Sequence, residues 1–301
     1  MVDFSTLKRS SSTSFQKLTE ELTKLNSNSF QSSDDNRYWT PTVDKAGNGY
    51  AVIRFLPAPA NEDIPFVRLW DHGFQGPTGL WYIEKSLTTL GKQDPVAEYN
   101  SVLWNASTDD ESPQRKQARK QKRRLYYVSN VYVVSDPSNP DNNGKVFLFK
   151  YGKKIFDKLN DLMNPQFPDD SPVNPFDFWA GANFKLKIRK VEGYRNYDKS
   201  EFDTPTPLMS DDEDMERIWN TEIPLQELLD QKHFKPYDEL KAKLNRVLAV
   251  TISAVSEAPR QSRVEKETLP WNDPPKAATT KSAFEEDDDD LEFLKKLAED
   301  D

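Results

Sequence analysis

The chain has 301 residues, enough for one large domain or two ordinary ones, but apolar residues make up only 36% of it, so part must be loop or tail. It contains no Cys, which excludes disulfides, thiol nucleophiles, Cys-ligated zinc and iron–sulfur clusters, and leaves His72 and His233 for any imidazole chemistry. The net charge of −9 is uneven: the last nineteen residues hold ten acids against Lys295 and Lys296, a net of −8 that leaves the other 282 residues at −1.

Residues 1–30 form a basic, Ser-rich arm. Lys8-Arg9 is followed by Ser10, Ser11, Ser12 and Thr13, and Phe15, Leu18, Leu22 and Leu25 recur at helical spacing behind a Thr13 or Ser14 cap. That apolar stripe is narrow, about one residue per turn. Two readings stay open: a terminal helix packed on its own domain, or one that docks on another molecule. Met1 leads into polar residues, and no run reaches the ~18–20 apolar residues of a membrane span, so a soluble protein of a reducing compartment is expected.

From Tyr38 onward short β-rich runs are separated by Pro, Gly, Asn and Asp, the texture of a barrel or sandwich. The strands expected are 50–56, 80–84, 126–134, 146–151 and 184–191. Ile155, Phe156, Leu159, Leu162 and Met163 predict a helix over 153–163 that Pro165 ends, and a second helix is expected over 238–248 after Pro236. Beyond residue 258 the apolar content falls and four prolines punctuate a polar stretch too poor in apolar surface to fold. It ends in Asp287, Asp288, Asp289 and Asp290, interleaved with Phe284, Leu291, Phe293 and Leu294, a pattern that suits a partner-binding peptide better than a plain solvating tail.

Catalytic constellations are scarce. His72 has no neighbouring His, so a structural role is expected of it; the acids at 211–214 read as a solvated loop before they read as a Mg²⁺ site. No phosphate-cradling Gly-rich loop and no Gly-x-Ser-x-Gly elbow occurs. What recurs is cation beside aromatic. Arg115, Lys116, Arg119, Lys120, Lys122, Arg123 and Arg124 place seven cations in ten positions and lead directly into Tyr126-Tyr127. Phe149, Lys150 and Lys153 repeat the combination, and so does Tyr194-Arg195-Asn196-Tyr197. In the run 184–191, Lys185, Lys187 and Arg189 share one face of a strand. Cations that track phosphates and aromatic faces that stack bases are what sequence-tolerant single-strand binding requires. Many of the aromatics must nevertheless fill a β core, Tyr132 and Phe184 among them.

The words Asn48-Gly49-Tyr50-Ala51-Val52-Ile53-Arg54-Phe55-Leu56-Pro57, His72-Gly73-Phe74, Trp81-Tyr82-Ile83-Glu84, Gly144-Lys145-Val146-Phe147, Gly152-Lys153-Lys154-Ile155 and Asn196-Tyr197-Asp198 stand in the order seen in the single-stranded DNA-binding, helix-destabilising proteins of T-even type bacteriophages, which the chain resembles. The resemblance implies an OB-fold core, a basic arm for cooperative self-association (Lys8, Arg9, Ser10, Phe15, Leu18, Leu22), and an acidic tail that recruits replication and recombination proteins. It implies groove aromatics at Tyr127, Phe149, Tyr194 and Tyr197, with Trp104 a looser match, and groove cations at Arg124, Lys150 and Lys153. The family's type member carries zinc on one His and three Cys. Here His72 persists, but the Cys positions align approximately with Ser86, Asp94 and Ala97, so no metal is expected, and packing by Leu87, Leu90, Pro95 and Val96 should take its place. The stretch 105–121 is longer than the family's and is expected to be a mobile loop at the groove.

The expectation is therefore a mainly β protein with peripheral helices: an arm at 1–30, an OB-fold core at 31–257, and a flexible linker with a disordered acidic tail at 258–301. Its function would be cooperative coating of single-stranded DNA in the host cytoplasm during phage replication, recombination and repair, with no catalytic centre, cofactor or membrane partner. A single-stranded RNA-binding regulator on the same fold is the alternative, and a Mg²⁺-dependent nuclease is a more distant one.

Overall fold

The twelve-residue strand β4 (Arg124–Ser135) organises the computed structural model, which describes residues 36–167 and 169–249. The N-terminal arm and the acidic tail, with every self-association and tail residue named above, lie outside the described residues. One half of β4 pairs with β2 (Val67–Gln75), the other half with β1 (Gly49–Phe55), and β5 (Val146–Gly152) runs along its middle. β3 (Trp81–Lys85) extends the sheet beyond β2, and β6 (Phe184–Val191) extends it beyond β1, carrying β7 (Tyr194–Asn196) and β8 (Glu201–Phe202). All these pairings are antiparallel, and the sheet curls into a half-barrel.

Side chains alternate along a strand, so β4 feeds two cores. Tyr127, Val131 and Val133 point to one side, among Ile53, Phe55, Phe149, Phe184, Leu186 and, from α3 (Lys153–Met163), Ile155 and Leu159. Tyr126 and Val128 point to the other, among Val67, Leu69, Tyr82 and the face of α5 (Tyr237–Leu248) that carries Leu240, Leu244 and Val247. Phe184 is core as expected; Tyr132, on the even side, is only half-buried and packs against the smaller cluster of Leu56, Phe178 and Met215.

The five expected strands and both expected helices form within a residue or two of their expected bounds. Three of the differences bear on the site. β2 was not expected, because Asp71-His72-Gly73 interrupts its apolar pattern; there, burial of polar residues with partners overrides the hydrophobic period. The expected mobile loop at 105–121 instead contains α2 (Pro113–Lys120), which packs on α1 (Pro95–Asn105). Ser112 caps it by accepting from the Arg115 amide, Pro113 pre-sets its first turn, and Asp110 and Glu111 pair with the cations that would otherwise repel one another. The acids at 211–214 are not a loop: Asp211 caps α4 (Asp212–Trp219), whose first turn holds the other three. Among the described residues no helix is long and apolar enough to cross a membrane.

Asn130 is fully buried on β4; its Nδ2 donates to the Ile223 carbonyl at 2.8 Å and its Oδ1 accepts from the Ile223 amide at 3.0 Å. Asn130→Ala leaves both backbone groups unpaired and should cost about 1–3 kcal/mol, whereas Leu186→Ala, which opens a core cavity, should cost about 2–5 kcal/mol, both read from denaturant unfolding of the full chain. Next to Ile223, burial and the facing Glu62 push the Glu222 carboxyl up from 4.5 to about 8. A raised carboxyl holds its proton only in the folded chain, so stability should fall as the pH climbs from about 4.5 through about 8. Glu222→Gln should remove that fall, gaining on the parent in urea at about pH 9 but not at about pH 4.

Candidate nucleic-acid interface

The basic segment 115–124 runs from α2 into β4 and carries an arginine–indole stack near each end. α1 begins at Pro95 because the Asp94 carboxylate accepts from the Val96 and Ala97 amides at 3.0 and 3.1 Å. It presents Trp104 to α2, where the Arg115 guanidinium lies 4.4 Å from the ring centroid and that of Arg119 lies 5.8 Å away. Arg115 is fixed further by Nε donation to the Ser107 carbonyl at 2.8 Å and by an ion pair with Asp110 at 2.6 Å. Asp110 also takes Arg119 at 3.3 Å, and Lys116 pairs with Glu111 at 2.9 Å. Lys120 and Lys122 stay exposed, with no acidic partner among the described residues.

At the other end, Arg123 lies 4.2 Å over the ring of Trp70 on β2. Arg68 and Trp70 share a strand face and stand opposite Tyr127 and Leu125 of β4. Neither Arg68 nor Trp70 figured among the expected site residues; the alternation Phe66, Arg68, Trp70 is the signal that would have found them. Below them, α3 follows Gly152 with no side-chain cap and no acid in its first turn, so the positive end of its dipole together with Lys153 and Lys154 attracts anions. Lys153 reaches Asp157 at 2.6 Å. Lys150 sits 3.6 Å over the Tyr126 ring and 3.9 Å from Asp71.

Two expected base-stacking rings are placed differently. Tyr127 is only 6% exposed and lies flat on Phe156, centroids 3.8 Å apart. Burial raises its hydroxyl pKa, with Arg68 and Lys153 acting in the opposite sense. Phe149 is 3% exposed between Trp39 and Tyr151, at 5.3 and 5.5 Å. Strand alternation puts both on the side of Val131 and Val133, so protein rings occupy their faces. Tyr194 is on the surface, at the β6–β7 hairpin whose turn takes Glu192 and Gly193 through positive φ of 53° and 94°. Arg195 follows it on β7, and Tyr197 packs partly against the barrel core.

Lys185, Lys187 and Arg189 do share one face of β6, but each is met by an acid. Lys185 Nζ lies 2.9 Å from Asp203, Lys187 Nζ lies 2.7 Å from Glu201, and Arg189 Nε donates to Asp198 at 2.8 Å. Each carboxylate is held below its ordinary range by the hydrogen bond from its cation. The expected phosphate track is therefore a ladder of ion pairs, because β8 and the segment before it fold back onto β6.

The residues standing at the zinc positions of the resembled family do not fit that metal. His72, Ser86 and Asp94 are buried together, but Ala97 supplies no donor atom. The Asp94 oxygens already accept from Ser86 Oγ at 2.9 Å and the Leu87 amide at 3.0 Å, besides the two α1 amides. A tetrahedral thiolate site has no counterpart in this donor set. Leu87 and Val96 are buried around it and Leu90 packs alongside, but the centre is polar rather than apolar as expected. The acids of α4 are also engaged: Asp212 accepts from Trp179 Nε1 at 2.8 Å and Asp214 pairs with Arg217. Among the described residues no group of three or more His, Cys, Asp or Glu is arranged to hold a metal ion.

A family model described as gp32 DNA binding protein like matches residues 47–248, from β1 to α5. The protein named single-stranded DNA-binding protein of Enterobacteria phage T4 is 36% identical over 254 residues, covering 83% of this chain and 82% of that protein. Its namesake in Enterobacteria phage T2 is 36% identical over 240 residues, 78% of each chain. A shorter namesake in Escherichia phage SV14 is 46% identical over 81 residues, 26% of this chain and 71% of that one. With a family match over two thirds of its length and relatives matched over about four fifths of theirs at this identity, the chain belongs to the gp32-like DNA-binding protein family.

Proposed function

We propose that this chain binds single-stranded DNA with little regard for sequence, coating it cooperatively during phage replication, recombination and repair in the host cytoplasm, and that it is not an enzyme. The observation that carries the reading is that Arg123 lies on the Trp70 indole beside Lys120 and Lys122, which stay exposed with no acidic partner among the described residues, while Arg115 on Trp104 is also paired with Asp110. A guanidinium held on a ring keeps its charge for phosphate while losing the freedom that binding would otherwise have to remove. The names of the phage relatives point the same way. The curled antiparallel half-barrel supports an OB-fold core. On this reading the arm at 1–30 mediates contact between neighbours on the strand, and the tail at 258–301 takes replication and recombination proteins. The nuclease alternative gains nothing from the α4 acids, which are used in capping and pairing.

Poly-deoxythymidine, duplex DNA and RNA of matching sequence, titrated at low and moderate salt against intrinsic fluorescence, test this directly. Single-stranded DNA alone should quench strongly, with log affinity falling linearly in log salt. Trp70→Ala and Trp104→Ala should each weaken binding about two- to fivefold, from about 0.5–1 kcal/mol per lost arginine–indole contact. Lys187→Ala should cost less than about threefold, since Glu201 already neutralises that cation. Equal response to duplex would sink the reading, and tighter binding of RNA would replace it with an RNA-binding one.

The charge asymmetry of the whole chain adds a second expectation. If the acidic tail competes with phosphate for the basic segment, deleting residues 285–301 raises affinity at low salt and the gain shrinks as salt rises. Unchanged affinity would mean that the tail does not reach the interface.

A further inference from the structure

Five buried polar residues from separate segments meet at one point beside the Trp70 stack. His72 on β2, Ser86 after β3, Asp94 before α1, Asn100 within α1 and Gln121 after α2 are all at most 7% exposed. His72 Nδ1 lies 3.2 Å from the Gln121 carbonyl oxygen, and Nε2 lies 3.2 Å from Asp94 Oδ1. Asn100 Nδ2 donates to the same Gln121 carbonyl at 3.0 Å. Both nitrogens of His72 thus face oxygen atoms that can accept hydrogen bonds. Burial works to raise the Asp94 carboxyl, but the hydrogen bond and charge of His72, with donation from the Ala97 amide and Ser86, hold it at about 2. A metal would need the His72 lone pair and the Asp94 lone pairs that this network already uses.

We infer that His72 and Asp94 are positioning residues for strand binding: a metal-free clamp that seats the α1–α2 hairpin on β2. The geometry gives the clamp its reach. It grips the hairpin at both ends, at the α1 cap and at the residue closing α2, so the hairpin cannot swing without breaking a buried charge-assisted contact. Between those ends lie Trp104, Arg115 and Arg119. Two residues past Gln121 is Arg123, on Trp70, itself two residues before His72 along β2. Both arginine–indole stacks are thereby referred to one buried point. Where the resemblance would place a zinc ion, hydrogen bonds from His72, Ser86 and Asp94 would do the mechanical work of a metal.

The inference rests on the single-stranded DNA reading, so its test has a readout independent of DNA. Hydrogen exchange of the full chain should show amides of residues 95–121 losing protection at least about tenfold in His72→Ala and Asp94→Ala, while those of 184–191 keep theirs. Asp94→Asn, which retains a capping oxygen but not the charge, guards against outright misfolding and should fall between the two. Poly-deoxythymidine affinity should drop about tenfold or more in the Ala variants, and chelation should change neither readout in the parent chain. The triple variant Ser86→Cys, Asp94→Cys, Ala97→Cys should bind cobalt(II) with thiolate charge-transfer absorption, recover hairpin protection on adding zinc, and become chelator-sensitive.

Equimolar zinc in the purified parent chain, with protection lost on its removal, overturns the inference. So does a loosened hairpin with unchanged affinity, which would make the cluster purely structural, and so does unchanged hairpin protection in His72→Ala. A parent chain that binds no single strand defeats the DNA reading itself, and the exchange data, taken without DNA, tell the two failures apart.

Discussion

Burial of β4 on both faces is the constraint on which the rest of the structure depends. A strand with one wet face can shift or twist at modest cost, but β4 delivers Tyr127, Val131 and Val133 to one core and Tyr126 and Val128 to another. Slipping its register by one residue would exchange the two sets and empty both cores. Its polar residues are correspondingly well matched: Asn130 docks the 223 segment, and Ser129 Oγ lies 2.9 Å from the Tyr151 hydroxyl. The basic segment leads directly into this strand. Cations that must meet a flexible polyanion are therefore tethered to the most constrained element of the body, and β5 and α3, which also pack on it, bring Lys150, Lys153 and Lys154 to the same end.

Electrostatics then sorts the cations by use. Those on β6 are paired with acids of the same sheet, and those of α2 share Asp110 and Glu111. Exposed pairs of this kind contribute little stability, about 0–1 kcal/mol each. Their effect is to fix orientation and to lower the local positive field. Arg123 is treated differently: the Trp70 indole attracts its guanidinium without cancelling its charge, so it remains able to attract phosphate. The surface thus distinguishes cations that brace the fold from cations that are presented.

The polar cluster around Asp94 shows a third use of charge. One carboxylate caps a helix, orders the turn after β3 and meets the His72 ring, all within a buried volume. The partners of the Asp94 carboxylate are held to one geometry because a buried charge without hydrogen bonds is costly, whereas Asn100 Oδ1 and Gln121 Oε1 find no partner in the cluster. Few alternatives could tie α2 to the sheet, since that helix has little apolar surface of its own and buries only Ala118.

The local periods in the sequence determined much of the body. Alternation in the run 184–191 and the helical spacing of 153–163 set those elements, because each buries one face and has turn residues at its ends. Composition determined the split between a near-neutral body and an acidic tail, since charge and apolar content are properties of the chain alone. The cation–aromatic recurrence points to the basic segment and Trp104, which the fold brings into contact with each other. Tertiary structure decided which aromatics face outward and which cations are free to act. Tyr127 and Phe149 differ from Trp70 only in what packs over them, and Lys187 differs from Lys122 only in having an acid folded back upon it. Those contacts join residues distant in sequence, as do those that bury His72 against Asp94 and Gln121, so no local pattern encodes them; they exist only once the sheet has curled and brought separate segments within hydrogen-bonding distance.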